Sequence, residues 1–103
     1  MDEDKTIINT DSLTQIIKNI EGWELKQNKV LERKFTFDNF KEITKFLNHL
    51  VTLITELNHH PDFSLNTGSR TVFVSLTTHS EDCITQADLD FASQLNKWPS
   101  TDA

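Results

Sequence analysis

Three of the four histidines in this sequence lie where two predicted elements end. His59 and His60 follow a long apolar helix, and His79 follows an alternating strand. Imidazole is the side chain that can give or take a proton near neutral pH, and a helix C-terminus favours its protonated form. If the strands beside these ends join in one sheet, the three rings can meet in one pocket. This grouping indicates a site whose difficult steps are proton transfers.

Other chemistry finds little support around these histidines. Three imidazoles can hold zinc with an open fourth position, but adjacent histidines rarely both reach one ion and no H-x-x-x-H spacing is present, so we predict no metal. Cys83 has no evident activating partner, and the chain has no glycine-rich loop to hold a phosphate. A His-His pair at a helix end is often only a capping or surface feature, and that alternative stays open.

The long helix that leads to the histidine pair is the strongest pattern in the chain. Asp38 or Asn39 is the expected N-cap, and Pro61 disfavours helical geometry at His60, so the helix should end near Asn58. An arc of about 160° on the helical wheel contains all of its apolar side chains. They are Phe40, Ile43, Phe46, Leu47, Leu50, Val51, Leu53, Ile54 and Leu57. An arc this wide fits either a well-buried helix or one that also contacts a second subunit.

Two further helices and two strand pairs surround this helix. We expect a first helix over 11–21, with Asp11 or Ser12 as its N-cap and Gly22 after its end. The last helix is expected to have Thr85 as its N-cap and Asp88 as the capping residue at its third position. The expected strands are 23–25, 30–36, 62–67 and 70–78. The order α-β-β-α-β-β-α does not alternate single strands with helices. It predicts an α+β fold, a four-stranded antiparallel sheet with three helices packed on one face.

Length, charge and cysteine content restrict the class of protein. The chain has 103 residues, enough for one domain, expected over 11–98 with a disordered tail over 1–10 and a C-terminal tail over 99–103. A formal charge of −6 disfavours phosphate backbones and anionic lipid, so we expect no direct nucleic-acid or membrane partner. We expect no secretory signal and no membrane-spanning segment, and the single Cys83 fits a reducing cytoplasm.

Three short strings occur in a specific order around the histidines. They are Leu-Asn-His-His-Pro-Asp at 57–62, Leu-Thr-Thr-His at 76–79 and Leu-Asp-Phe-Ala at 89–92. Together they resemble the pterin-4a-carbinolamine dehydratase family, and the resemblance runs from about Gly22 to Leu95. It implies loss of water from 4a-hydroxytetrahydropterin to give quinonoid dihydropterin, which recycles the tetrahydrobiopterin of aromatic amino-acid hydroxylases. It also implies no metal or other cofactor, and homodimers or homotetramers assembled partly through the long helix.

The resemblance assigns roles to individual residues. His59 and His79 would be the principal acid/base groups, and His60 would bind the substrate or assist. The residues implied in substrate binding are Asn58, His59, His60, Thr77, Thr78, His79 and Ser80.

The sequence departs from the family pattern at several positions. Thr55 stands four positions before His59, where the family usually carries an acid. The neighbouring acid, Glu56, is turned by about 100° around the helix. Ser69 and Ala87 stand where the family often has an aromatic residue and an arginine. Some proteins of this fold act as a transcriptional coactivator or a Rubisco assembly factor, so a non-catalytic interaction role is the alternative.

Overall fold

The computed structural model describes residues 3–98, which form three helices and four strands in the predicted α-β-β-α-β-β-α order. The α+β class and the four-stranded antiparallel sheet are confirmed. The expected C-terminal tail over 99–103 lies outside the described residues. In chain order the elements are α1 (Thr10–Ile17), β1 (Glu24–Lys26), β2 (Val30–Thr36), α2 (Phe40–Leu57), β3 (Asp62–Asn66), β4 (Thr71–Leu76) and α3 (Gln86–Leu95).

The sheet joins the two predicted hairpins through strands β2 and β4. Its strand order is β1-β2-β4-β3, and each neighbouring pair is antiparallel. Asp62, at the start of β3, lies opposite Ser75, one residue before the end of β4. Because the start of one antiparallel strand lies beside the end of its partner, residues 58–61 and 77–80 are placed at the same end of the sheet.

The apolar side of α2 packs into the core together with the sheet. Asn39 is its N-cap, as predicted, and the Asn39 side-chain oxygen accepts the backbone N–H of Glu42 at 2.9 Å. The helix ends at Leu57 because Asn58 takes a left-handed conformation (φ 51°), which asparagine adopts more readily than most residues. The core side chains from α2 and the sheet include Ile43, Phe46, Leu50, Leu53, Leu31, Phe35, Val72, Val74 and Leu76.

The wide apolar arc of α2 is only partly covered. On this helix Phe46 is fully buried, whereas Phe40 and Val51 are about half exposed. Two apolar side chains of the edge strand β3, Phe63 and Leu65, are exposed to a similar degree. Burial therefore accounts for the centre of the arc, and contact with a second subunit stays a prediction for its exposed positions. Within the described residues, no helix is long and apolar enough to cross a membrane.

The first helix begins and ends earlier than predicted. Its N-cap is Asn9, not Asp11 or Ser12, because the Asn9 side chain accepts a backbone N–H from the first turn at 2.8 Å. The helix stops five residues before Gly22, which has a positive φ of 87°. The positive φ favours glycine at this turn, and a Cβ here would lie 2.7 Å from the guanidinium group of Arg33, which would have to shift.

Residues 3–9 differ from the expected disordered N-terminal tail, because they lie along the start of α3. The backbone N–H groups of Gln86 and Ala87 donate to the carbonyl oxygens of Thr6 and Asp4, at 2.9 and 2.7 Å. The first N–H groups of a helix have no acceptor within the helix. Here two carbonyl oxygens of the N-terminal segment accept two of these N–H groups. Since the contacts are made by the backbone, side-chain types gave no sign of them.

Candidate active site

The sheet end at which residues 58–61 and 77–80 lie carries a cavity of about 260 Å³. Its lining contains all seven residues that the sequence predicts for the site, and two residues of the N-terminal segment. They are Glu3, Lys5, Asn58, His59, His60, Thr77, Thr78, His79 and Ser80. The structure thus brings three imidazoles to one place, as expected from the two element ends.

A larger depression of about 480 Å³ lies elsewhere on the sheet. Its lining includes Glu32, Lys34 and Phe73, which alternate along their strands with buried residues and so belong to the outer face. No imidazole lines it. The smaller cavity is therefore the candidate for proton-transfer chemistry.

His59 is the most enclosed of the three imidazoles, with 6% of its side chain exposed. Its Nε2 lies 2.6 Å from Oδ1 of Asp88, and its Nδ1 lies 2.5 Å from Oε1 of Glu3. The hydrogen bond with Asp88 is the main cause that raises the pKa of His59 above 6.5, burial opposes it, and Glu3 adds to the rise. Since an ionised carboxylate only accepts, the two contacts fit an imidazolium that donates one N–H to each carboxylate.

Asp88 is fully buried and uses both of its carboxylate oxygens. Oδ1 accepts from His59, while Oδ2 accepts from the Thr78 hydroxyl at 2.8 Å and from the backbone N–H of Thr85 at 2.9 Å. The Thr85 hydroxyl lies 2.7 Å from that of Thr78 and donates to it, because the single Thr78 proton is directed to Asp88. Thr85 is the N-cap of α3, as predicted, so the carboxylate lies at the positive end of the helix dipole.

Charges of alternating sign follow one another from the surface into this site. The Lys5 ammonium donates to Oγ of Ser80 at 2.9 Å and lies 3.9 Å from Oε2 of Glu3. Glu3 and Asp88 then lie on either side of the His59 ring. The positive charges of Lys5 and His59 thus match the negative charges of the two carboxylates, which offsets part of the cost of burying the Asp88 charge.

His79 and His60 are exposed within the same cavity, in contrast to His59. For His79, 69% of the side chain is exposed, and its Nε2 lies 3.4 Å from Oδ2 of Asp62, which is itself exposed. His60 is also exposed and lines the cavity. Both rings can therefore reach a ligand without first leaving a buried partner.

The turn that follows β4 is fixed by contacts on both sides. The Thr78 N–H donates to the carbonyl oxygen of Cys83 at 3.0 Å, and the Thr77 hydroxyl donates to the carbonyl oxygen of Lys29, at the β1–β2 turn, at 2.7 Å. Because the hydroxyls of Thr77 and Thr78 donate their protons within the protein, these side chains hold the turn in place. The turn in turn fixes the position of His79.

The positions that depart from the family pattern lie outside the cavity lining. Thr55 has no carboxylate, and the carboxylate of Glu56 is exposed on α2 and does not line the cavity. This part of α2 therefore supplies no carboxylate to His59. Ser69 lies in the β3–β4 turn, at the other end of the sheet. Ala87 is buried, and its backbone N–H is one of the two that bind the N-terminal segment.

Sequence reasoning missed the two carboxylates that hold His59. It predicts Asp88 only as a capping residue at the third position of α3, and the cap contact to Thr85 is indeed present. One further signal was available. A carboxylate in the first turn of a helix uses one oxygen for the cap, and its second oxygen can accept from a side chain of a neighbouring pocket. Glu3 carried no signal, because it lies 56 residues before His59 in the chain.

Two solved structures share this fold. A Brucella melitensis protein described as a transcriptional coactivator/pterin dehydratase matches with a TM-score of 0.80, over 88% of this chain and 96% of its own, at 24% identity. A pterin dehydratase-like protein described as a RuBisCO assembly factor in the α-carboxysome matches with a TM-score of 0.59, over 74% and 87%, at 23% identity. The chain thus has the fold of the pterin dehydratase-like proteins.

Sequence relatives define the family. A protein of Sulfurisphaera tokodaii (strain 7) is 37% identical over 81 residues, 79% of this chain and 84% of the relative. A protein of Prochlorococcus marinus (strain MIT 9215) is 34% identical over 91 residues, which are 88% of this chain and 92% of the relative. Both relatives carry the provisional name pterin-4-alpha-carbinolamine dehydratase. The family model described as Pterin 4 alpha carbinolamine dehydratase matches residues 6–98. This chain belongs to the pterin-4a-carbinolamine dehydratase family, as its motifs predict.

Proposed function

We propose that this protein removes water from 4a-hydroxytetrahydropterin and releases quinonoid dihydropterin. The observation that carries the proposal is a single cavity in which three imidazoles meet, one of them between two carboxylates and two of them exposed. Membership of the family supports the same reaction. Residues Asn58 and 77–80 would line the pterin ring in this cavity.

The proposed reaction consists of two proton transfers and one bond cleavage. The hydroxyl oxygen on C4a takes a proton, and the C4a–O bond breaks to release water. The N5 lone pair forms the C4a–N5 double bond, and the proton on N5 leaves to a base. One proton is delivered and one is removed, so the protein ends each turnover with the protons it had at the start. Positioned acid–base groups accelerate such steps by about 10²–10⁴-fold.

The geometry supports different roles for the two principal histidines. His59 carries a proton on each ring nitrogen, which suits the acid that protonates the leaving hydroxyl. To reach the substrate, its Nδ1–H exchanges the hydrogen bond to Glu3, the more exposed of its two carboxylates, for one to the hydroxyl. His79 is exposed in the same cavity and is assigned as the base for the N5 proton, with His60 binding or assisting.

The proposal extends to assembly and cellular setting. A homodimer or homotetramer would use α2, where Phe40 and Val51 are half exposed. The protein would act in the cytoplasm beside an aromatic amino-acid hydroxylase, whose reaction forms the 4a-hydroxypterin. Val51→Lys should lower the oligomer mass measured by light scattering, because a charged side chain is costly to bury in an apolar contact.

A non-catalytic interaction role is the second candidate. The half-exposed apolar residues of α2 favour it, and so do the descriptions of the two solved structures, a coactivator and an assembly factor. Ligand binding separates the two candidates. A dehydratase should bind an oxidised dihydropterin analogue and lose it in His59→Ala, whereas a protein that only binds partners should show no pterin binding.

The test of the proposed function is dehydration of 4a-hydroxytetrahydropterin, generated in situ and followed by ultraviolet absorbance. We expect the wild-type protein to accelerate the reaction and His79→Ala to lose most of that acceleration. His49→Ala is the matched control, because His49 contacts the Gln94 carbonyl and the Trp98 ring and does not line the cavity. No acceleration by folded wild-type protein would reject the dehydratase and favour the interaction role.

A further inference from the structure

The N-terminal segment Glu3–Ile8 is attached to the site by its backbone at several points. Asp4 and Thr6 accept N–H groups from the first turn of α3, and the N–H of Ile8 donates to the carbonyl oxygen of Ile84 at 3.4 Å. Ile7 forms an antiparallel bridge with Thr85. This pairing fixes the direction of the segment and delivers Glu3 to the exposed side of His59.

We propose that this segment is a working part of the site and that Glu3 is a positioning residue, which holds the proton on Nδ1 of His59 and keeps that nitrogen directed to the cavity. Neither the motifs of the sequence nor the spacing of its histidines includes Glu3. The role in catalysis depends on the proposed dehydratase activity. The effect on the His59 proton does not depend on it.

The position of Glu3 differs from that of an ordinary surface ion pair. Its carboxylate is 23% exposed and its partner ring 6% exposed, so the contact lies at the boundary between the cavity and the interior. Asp88 already occupies Nε2 from the interior. Glu3 is therefore the partner of Nδ1, and it holds the second proton on that nitrogen and fixes the ring orientation from the outer side.

The charged and titratable groups that face His59 come from several elements. The N-terminal segment contributes Glu3 and, beyond it, Lys5, while α3 contributes Asp88. The neighbouring His60 and the His79 of the turn after β4 line the same cavity. A carboxylate that accepts from the ring favours the imidazolium, so the Glu3 hydrogen bond raises the pKa of His59 in addition to the larger effect of Asp88.

The experiment is an NMR titration of the imidazole rings in the full chain, in which the His59 signals are assigned from their absence in His59→Gln. In Glu3→Gln we expect the pKa of His59 to fall, because an amide replaces a carboxylate that stabilises the imidazolium. Glu56→Gln is the matched control, since it removes one negative charge from the exposed end of α2 without touching the ring. Glu3→Asp should restore part of the shift.

Two results would overturn the proposal. One is a His59 pKa that falls no further in Glu3→Gln than in Glu56→Gln. The other needs no variant and is seen in the wild-type protein at pH 6, where nitrogen shifts of a neutral His59 ring would show that Nδ1 does not carry a held proton. Both readouts are independent of turnover, so a protein with no dehydratase activity would still confirm or reject the position of Glu3.

Kinetics then tests the consequence for catalysis. If turnover is observed, the alkaline side of the kcat/KM profile should move to lower pH in Glu3→Gln and stay in place in Glu56→Gln, because kcat/KM reports the free protein. A purely structural role of the segment would lower the amount of folded protein without moving the profile. An unmoved profile together with a lowered His59 pKa would show that His59 is not the acid, which contradicts the catalytic part of the proposal alone.

Discussion

His59 and His79 line the same cavity, yet the protein holds them in opposite ways. His59 is almost fully enclosed and lies between two carboxylates, whereas His79 is largely exposed and has only the exposed Asp62 nearby. The two residues are chemically identical, so the difference is made entirely by what surrounds them. An imidazole between carboxylates keeps a proton, and an exposed imidazole is free to meet a ligand.

This difference matters for a reaction that both delivers and removes a proton. Two imidazoles with identical surroundings would change protonation together as the pH changes, and an acid and a base would rarely be present at once. His59 lies between two carboxylates that favour its protonated form, while His79 stays open to the cavity, so the two rings have different surroundings in one small space. Variants of either ring and of its carboxylate neighbours should test that difference, beginning with the largest expected effect.

Removal of either ring should have the largest effect. His59→Ala and His79→Ala should each lower turnover by about 10²–10⁴-fold, because each removes a group that transfers a proton. The in situ absorbance assay measures the loss, with His49→Ala as the control that keeps the cavity intact. A loss of less than about threefold in both variants would contradict the assignment.

The interior partner of His59 should dominate stability. Asp88→Asn should lower the free energy of unfolding by about 3–5 kcal/mol, because it breaks a buried charge pair and leaves the imidazolium without its main acceptor. Urea denaturation measures the change. Asp90→Asn is the matched control on the same helix, since Asp90 is exposed and contacts only the Gln86 amide among the hydrogen bonds described. Equal effects of the two variants would show that the His59–Asp88 pair is not stabilising.

Stability should depend on pH through His59. A pKa that is raised by folding contributes stability that is fully present below the unfolded value of 6.5 and is lost as the pH rises through the folded pKa. The stability advantage of the wild type over His59→Gln should therefore be larger at pH 6 than at pH 9. Denaturation curves at several pH values measure it, and an advantage that grows with pH would contradict an imidazolium in the folded protein.

The smallest effect is expected for the exposed carboxylate beside His79. Asp62→Asn removes the carboxylate near His79, and exposed pairs of this kind contribute little because water and salt screen them. The free energy of unfolding should change by less than about 0.5 kcal/mol. A larger loss in urea denaturation would show that the two histidine environments are more alike than their exposure indicates.

The fold was largely predictable because its signals are local. The apolar arc of α2, the Asn39 and Thr85 caps and the alternation in β4 are all determined within a few residues, and each is present in the structure. The start of α1 was mispredicted because four consecutive residues from Asn9 to Ser12 are all of types that cap helices. Several side chains there can accept the same N–H group, and the pattern alone does not choose among them.

The site was predictable only in its local parts. The three histidines and the residues beside them follow from two chain segments that the antiparallel sheet places side by side. The contact of Glu3 with His59 depends instead on backbone pairing between segments far apart in the chain, which no side-chain pattern encodes. Asp88 has two oxygens, and only the cap contact could be read from the sequence.

The attachment of residues 3–8 to α3 also has a practical consequence for work with this protein. Glu3 lines the histidine cavity, so foreign residues joined within a few positions of it, as by an affinity tag, would lie within reach of the site. Removal of such a tag with a protease that leaves extra residues would keep part of that disturbance. Purification tags are better joined far from this segment, and comparisons of activity between preparations require the same residues around Glu3.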